Sequence, residues 1–160
     1  MRDLDGVRIA VEDPVSPDVH ALLEGHLADM RATTPPESVH ALDIPALRID
    51  SVTFWTAREE NALLGCGALV ELSPTHGEIK SMRTGCRHRR RGVARAILDT
   101  IMNEAAHRGY ERLSLETGSP DFFVPARRLY ASYGFTECEP FGDYILDSNS
   151  IFMTRLLAKH

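Results

Sequence analysis

Cysteine is scarce in this chain, and the scarcity excludes several classes of protein. Cys66, Cys86 and Cys138 are odd in number and widely spaced. No Cys-x-x-Cys pair exists, so the ligand spacing of a structural zinc site is missing, and a disulfide framework is not expected. A reducing cytoplasm is the compartment that such usage suggests. Long apolar runs are lacking too. No segment reaches the length that spans a bilayer, and Met1-Arg2-Asp3-Leu4-Asp5 has nothing of the apolar run of a secretory leader. No repeat or low-complexity tract interrupts the 160 residues, which suits a single domain over residues 1–160. An excess of positive charge is also absent. The 18 Lys and Arg face 23 Asp and Glu, a net charge of −5. That balance argues against a general binder of nucleic acid or of anionic membranes.

What is present begins with 43% hydrophobic residues, enough for one sizeable core. Against the acidic background stands a local arginine cluster: Arg87, Arg89, Arg90, Arg91 and Arg95 lie within nine residues. It falls between a strand-like run, Glu78 to Thr84, and a helix-like run that continues to about His107. The first N–H groups of a helix have no internal partner, and the helix dipole adds partial positive charge there. A glycine turn feeding such a start is an anion site. Gly92 and Ala94 are small enough for close approach to the backbone. The run Arg89-Arg90-Arg91-Gly92-Val93-Ala94 therefore points to a ligand bearing several phosphates. RNA is the weaker alternative, because the run lacks interleaved aromatics for stacking on bases.

The rest of the chain supplies the frame. Val7 to Val11 reads as a strand, and Ser16-Pro17-Asp18 as a helix start. Val19, Leu22, Leu23, Leu27 and Met30 recur at helical spacing, and the helix fades near Thr33-Thr34. His26 lies on that stripe and reads as a partly buried structural histidine. Glu37 to Leu47 reads as a loop and a short helix. Val52 to Ala57 and Leu63 to Leu72 read as strands around a turn at Arg58 to Asn61, with Gly65 and Gly67 weakening the second or marking a bulge. Pro74 to Gly77 turns the chain into the strand Glu78 to Thr84, where simple alternation puts Ile79, Ser81 and Arg83 on one side and Lys80, Met82 and Thr84 on the other. After the helix capped by Gly109, Arg112 to Thr117 alternates as a strand, with Leu113 and Leu115 inward and Ser114 and Glu116 outward. Phe123 to Tyr133 reads as a helix ended by Gly134, followed by strands over Thr136 to Tyr144 and Ile151 to Leu157. Antiparallel hairpins followed by strand–helix–strand units predict a mixed sheet flanked by helices.

Two motifs carry a resemblance. Arg89-x-x-Gly92-x-Ala94, between a strand and a helix, resembles the acetyl-CoA loop, Gln/Arg-x-x-Gly-x-Gly/Ala, of the GNAT superfamily of N-acetyltransferases. Downstream, Ala126-x-x-Leu129-Tyr130-x-x-x-Gly134-Phe135 resembles that family's Ala-x-x-Leu-Tyr-x-x-x-Gly-Phe segment. Each motif is modest alone, and together they stand in the family's order. The resemblance implies an α/β (α+β) GNAT-like fold: a mixed sheet of about six or seven strands with about four helices, splayed at the fourth and fifth strands. It implies an acetyl-CoA-dependent N-acetyltransferase of the small, single-domain bacterial type, with acetyl-CoA as co-substrate and no metal. Partners would be a small-molecule amine and, as in many members, a second copy in a homodimer, with neither nucleic acid nor membrane.

Carried over by position, the resemblance puts cofactor contacts at Met82, Arg83 and Thr84 on the strand. Further contacts fall at Arg89, Arg90, Arg91, Gly92, Val93, Ala94 and Arg95 in the loop, mainly through backbone N–H groups. Tyr130 is the expected acid for the departing thiolate. Where members often carry Asn, this chain has Phe123, so a polar contact is replaced by a ring that could pack along the pantetheine arm. The base that frees the amine is open between Glu116 and Glu78, with His76 and His40 as alternatives and a water chain as a substitute. Cys86 has no paired base, so direct transfer is expected. The acceptor would be read by Met30 to His40, including Arg31, and by Pro140 to Ser150, which holds Asp143, Tyr144, Asp147 and Asn149. These polar loops favour a small amine or an amino-acid-like acceptor. A non-catalytic acyl-CoA sensor, and an acyltransferase with a protein amine acceptor or a longer acyl donor, are the other readings.

Overall fold

The computed structural model describes residues 6–39, 44–85 and 92–157. Strand β1 (Val7–Val11) is followed by helix α1 (Pro17–Thr33), a short 3-10 turn (Pro36–Ser38) and helix α2 (Ile44–Leu47). Strands β2 (Val52–Glu59), β3 (Ala62–Ser73) and β4 (His76–Thr84) come next, then α3 (Val93–His107), β5 (Arg112–Gly118), α4 (Val124–Ser132), β6 (Thr136–Glu137) and β7 (Ser150–Leu156). Seven strands form one sheet in the order β1-β2-β3-β4-β5-β7-β6. Every neighbouring pair is antiparallel except β4 and β5, which run parallel. This is the mixed sheet with helices that the sequence predicts.

Local chemistry explains the helix limits. Pro17 occupies the start of α1, and Thr34 turns extended before Pro35 and Pro36 stop the helix. Gly92 precedes α3 at φ 85°, a left-handed conformation that glycine adopts without strain. Both faces of the sheet are covered. Val93, Ile97, Leu98, Ile101 and Ala105 of α3 pack with Ile79, Leu113, Leu115, Tyr130 and Phe135 on one side. On the other, Val19 and Leu23 of α1 and Leu47 of α2 pack on Phe54, Cys66 and Ala68.

The site depends on how β4 and β5 part. Their parallel register runs from His76↔Arg112 to Ile79↔Leu115 and ends there. β5 stays paired to β7 as far as Gly118↔Ser150, while β4 stays paired to β3 as far as Thr84↔Gly65. A gap therefore opens between Lys80–Thr84 and Glu116–Gly118. Within it, β4 carries a bulge. Cys66 faces Arg83 but Ala68 faces Lys80, so two residues of β4 oppose Gly67 alone. Ser81 absorbs the kink at φ 58°.

The bulge corrects the simple alternation. Met82 packs with Ile79 against the α3 core, while Arg83 reaches Asp29 of α1 at 2.6 Å, on the opposite side. An extra residue at Ser81 shifts all that follows to the other face. The bulge expected at the β3 glycines is present beside Gly65, where β3 carries an extra residue, Leu64, against β2. β4 carries a second bulge, and the glycines make room for it. A Cβ on Gly67 would stand 2.6 Å from the Met82 sulfur, and one on Gly65 would stand 2.8 Å from the Arg83 carbonyl oxygen. Two other expectations shift. The hairpin turn shrinks to Glu60 and Asn61, because Arg58 and Glu59 stay paired. Strand β6 holds only Thr136 and Glu137, because Pro140 and Gly142 divert the chain into an irregular loop over 138–149.

Gly65→Ala tests the bulge, because the clash is with backbone that cannot rotate away. The expected loss is about 1–3 kcal/mol of stability, read as a lower urea midpoint at unchanged slope.

Candidate active site

The face of β4, β5 and β7 turned away from α3 is where Glu78, Lys80, His76, Ser114, Glu116, Phe152 and Thr154 meet. Its alternation is fixed by Ile79, Leu113, Leu115 and Met153 pointing into the α3 core. Ser114, expected to face outward, is 1% exposed. It hydrogen-bonds His76 Nε2 at 2.7 Å and Thr154 Oγ1 at 2.9 Å. Burial, with Arg112 nearby, lowers the His76 pKa below its ordinary value, which disfavours the imidazolium.

The 138–149 loop folds over this face. Phe141 and Tyr144 pack edge-to-face at 5.1 Å, and both lie against Phe152. The Tyr144 hydroxyl donates to Glu78 Oε2 at 2.5 Å and accepts from Lys80 Nζ at 2.7 Å. Lys80 Nζ also reaches Glu78 Oε2 at 3.5 Å. The two charged side chains are only 11% and 6% exposed, so their mutual satisfaction matters. Burial and then the carboxylates of Glu78 and Glu116 push the Tyr144 phenol far above its usual range. It stays a proton donor at neutral pH. Glu116 is half-buried, on the first β5 residue beyond the last β4–β5 rung. Thus Glu78 is a buried, hydrogen-bonded carboxylate at the root of the gap, and Tyr144 faces both candidate bases.

Tyr130 belongs to the other side. It is 7% exposed, packs against Phe135 at 5.9 Å, and is pushed well above the usual phenol range by burial alone. Phe123 fills the space left by Gly118, where a Cβ would come within 2.3 Å of its ring. Arg127 Nη1 donates to the Gly118 carbonyl at 2.6 Å and holds the end of β5. At the start of α3, the Val93 side chain is in the core, so only its backbone can meet a ligand. Ala94 is half-buried. Arg95 turns to α4, bonding Ser132 Oγ at 3.3 Å and lying over the Tyr133 ring. Thr84 stays paired to Gly65. Arg89, Arg90, Arg91, His40 and Cys86 lie outside the described residues. Cys66 is sealed in the core, donates to the Ser81 carbonyl at 3.3 Å, and has its thiol pKa pushed up to about 12 by burial. It is no nucleophile.

Among the described residues no cluster of His, Cys, Asp and Glu could hold a metal, and no helix is long and apolar enough to cross a membrane. Sequence reasoning missed Lys80, and it left Tyr144 as one polar loop residue among several. Glu78-x-Lys80, two opposite charges on one strand face, was the available signal for the first.

Residues 19–135 match the Acetyltransferase (GNAT) family. The chain belongs to the GNAT family. This GNAT protein is 54% identical over 151 residues to the uncharacterized N-acetyltransferase YsnE of Bacillus subtilis, covering 94% of this chain and 100% of that protein. It is 34% identical over 158 residues to a protein named IAA acetyltransferase from Azospirillum brasilense, covering 96% and 100%. The GNAT acetyltransferase of Elizabethkingia anophelis, solved with acetyl-CoA bound, shares the fold at a TM-score of 0.69 and 19% identity, covering 96% of this chain and 99% of that one. The family makes this chain an acyltransferase.

His26 gives a stability test beside the gap. Burial, then Arg83, lowers its pKa to about 4. The unfolded chain takes up a proton near pH 6.5 that the folded chain refuses until about pH 4. Stability is therefore full above pH 6.5 and falls as pH drops toward 4. Because His26 keeps partial solvent contact, the expected loss from pH 7 to pH 5 is about 1–2 kcal/mol. Urea titrations should show it, and His26→Gln should remove that part of the slope.

Proposed function

We propose that this GNAT chain moves the acetyl group of acetyl-CoA directly to the amine of a small-molecule or amino-acid-like acceptor. The observation that carries the reading is the gap between β4 and β5, with the buried Glu78–Tyr144 pair on one face and the buried Tyr130 phenol on the other. The donor fits the residues around the gap. Gly92 is left-handed, so the next backbone N–H groups start α3 free of intrahelical partners and suit a pyrophosphate. Beyond Ile79, β4 has no β5 rung to occupy its edge, which leaves Met82, Arg83 and Thr84 for the pantetheine arm. The related fold that binds acetyl-CoA supports the same donor.

The chemistry needs two proton movements. The acceptor ammonium must lose a proton before its nitrogen attacks the thioester carbon. Glu78 takes that proton, directly or through Glu116 at the mouth of the gap. As the new C–N bond forms and the C–S bond breaks, the sulfur leaves with the electron pair of that bond. Tyr130 supplies the proton or hydrogen bond that stabilises it. Its raised pKa keeps it in the phenol form that this role requires. A small acceptor is in keeping with the relative named for IAA.

Thiol release from acetyl-CoA across a panel of amines tests the activity. Release that depends on amine supports it; CoA binding in calorimetry without release from any amine would leave a sensor. Tyr130→Phe is expected to lower kcat on the order of 100-fold while the KM for acetyl-CoA stays within about twofold. Undiminished turnover removes its acid role.

A further inference from the structure

We propose that Tyr144 and Lys80 are positioning residues that orient Glu78 and tie it to the seating of the 138–149 loop, so that acceptor binding and assembly of the base are one event. This rests on Glu78 as the base. Three observations carry it. First, the polar groups satisfy one another: Lys80 Nζ donates to the Tyr144 oxygen, and that hydroxyl donates to Glu78 Oε2. A carboxylate this deeply buried holds one orientation only while its donors are present. Second, one of those donors comes from the loop. When the loop lifts, Glu78 loses its shortest hydrogen bond and the Phe141–Tyr144–Phe152 cover goes with it.

Third, the loop is fastened to the other acceptor-side segment. Ser38, in the turn after α1, is 2% exposed and donates to Asp147 Oδ2 at 2.5 Å. Asn149 Nδ2 reaches the same Ser38 oxygen at 3.4 Å. The two segments that the resemblance assigns to the acceptor are thus joined to each other through Ser38 and to Glu78 through Tyr144. Between these fastenings, Ile145 and Leu146 are 79% and 80% exposed. Burial at the loop tip does not hold it down. The loop is held by these polar fastenings, by Ser119, which donates to the Ser148 and Asn149 carbonyls at 2.8 and 3.0 Å, and by Phe141 and Tyr144 packing on Phe152. Among the described residues, the charged and titratable neighbours of the latch include Lys80 and His76 on β4, Glu116 on β5, Asp147 in the loop and Glu78 itself.

Hydrogen exchange on the full chain without ligand reads the latch, and kinetics reads its consequence. Tyr144→Phe keeps the ring packing and removes the hydroxyl. Exchange in peptides over 138–150 is expected to quicken roughly tenfold, with α3 unchanged, and Glu78→Gln should act on the same peptides. With acetyl-CoA and the most active amine of the panel, Tyr144→Phe and Lys80→Met should each lower kcat about tenfold at an unchanged KM for acetyl-CoA. Ser38→Ala touches neither Glu78 nor Tyr144, and should both loosen the loop and lower kcat. Lys80→Arg should recover part of the loss. Unchanged exchange in Tyr144→Phe, or a loosened loop with full kcat, overturns the proposal. Full kcat in Glu78→Gln instead sinks the base assignment while the exchange result still stands on its own.

Discussion

Everything about this site follows from one interrupted interaction, the parallel pairing of β4 with β5. Four residues of each strand stay in register, and beyond Ile79↔Leu115 the pairing ceases. A sheet normally satisfies every interior N–H and C=O through its ladder. Ending the ladder inside the sheet leaves two strand edges facing each other across a space. The bulge at Ser81 turns β4 within that space, and Gly65 and Gly67 on β3 leave room for it. Arg127 holds the far edge, β5, by its Gly118 carbonyl. The gap is built by the packing of these residues.

The gap also separates two electrical environments. Toward α3 and α4, Tyr130 lies among the residues of the apolar core, and burial keeps its phenol protonated. Toward the 138–149 loop the neighbours are charged in both signs, and Glu78 keeps company with a lysine and a second phenol. On the proposed reading, the acid and the base of an acyl transfer need these opposite settings, one favouring the neutral form and the other supporting a charge.

Much of the frame was legible because it rests on local rules. Pro17, Gly92, Gly109 and Gly134 punctuate helices whose apolar stripes are regular, and the limits of α1 fall where Pro17 and Pro35-Pro36 put them. The GNAT motifs then gave the order of the central strands. What escaped was non-local. The bulge at Ser81 answers to glycines on a neighbouring strand, so no reading of β4 by itself could place Met82 and Arg83 on their true faces. Ser114 was assigned to solvent because alternation says which face a residue takes and nothing about what covers that face. The strand expected over Thr136 to Tyr144 failed for a related reason. Its aromatic residues suit a strand, but Phe141 and Tyr144 pack on the sheet from above, which a loop broken by Pro140 and Gly142 allows.

That loop changes what Glu78 can be. A lone buried carboxylate attracts any cation, including a protonated acceptor amine that it would hold too firmly to release. Lys80 and Tyr144 compensate part of its charge in advance. On the proposed reading, an ammonium arriving at the gap meets a carboxylate already paired on one oxygen and gains less from binding to it. The pairing thus limits tight ground-state binding of a cationic acceptor. On that reading, a lysine beside Glu78, which first reads as an obstacle to a cationic acceptor, keeps the acceptor from being held too tightly.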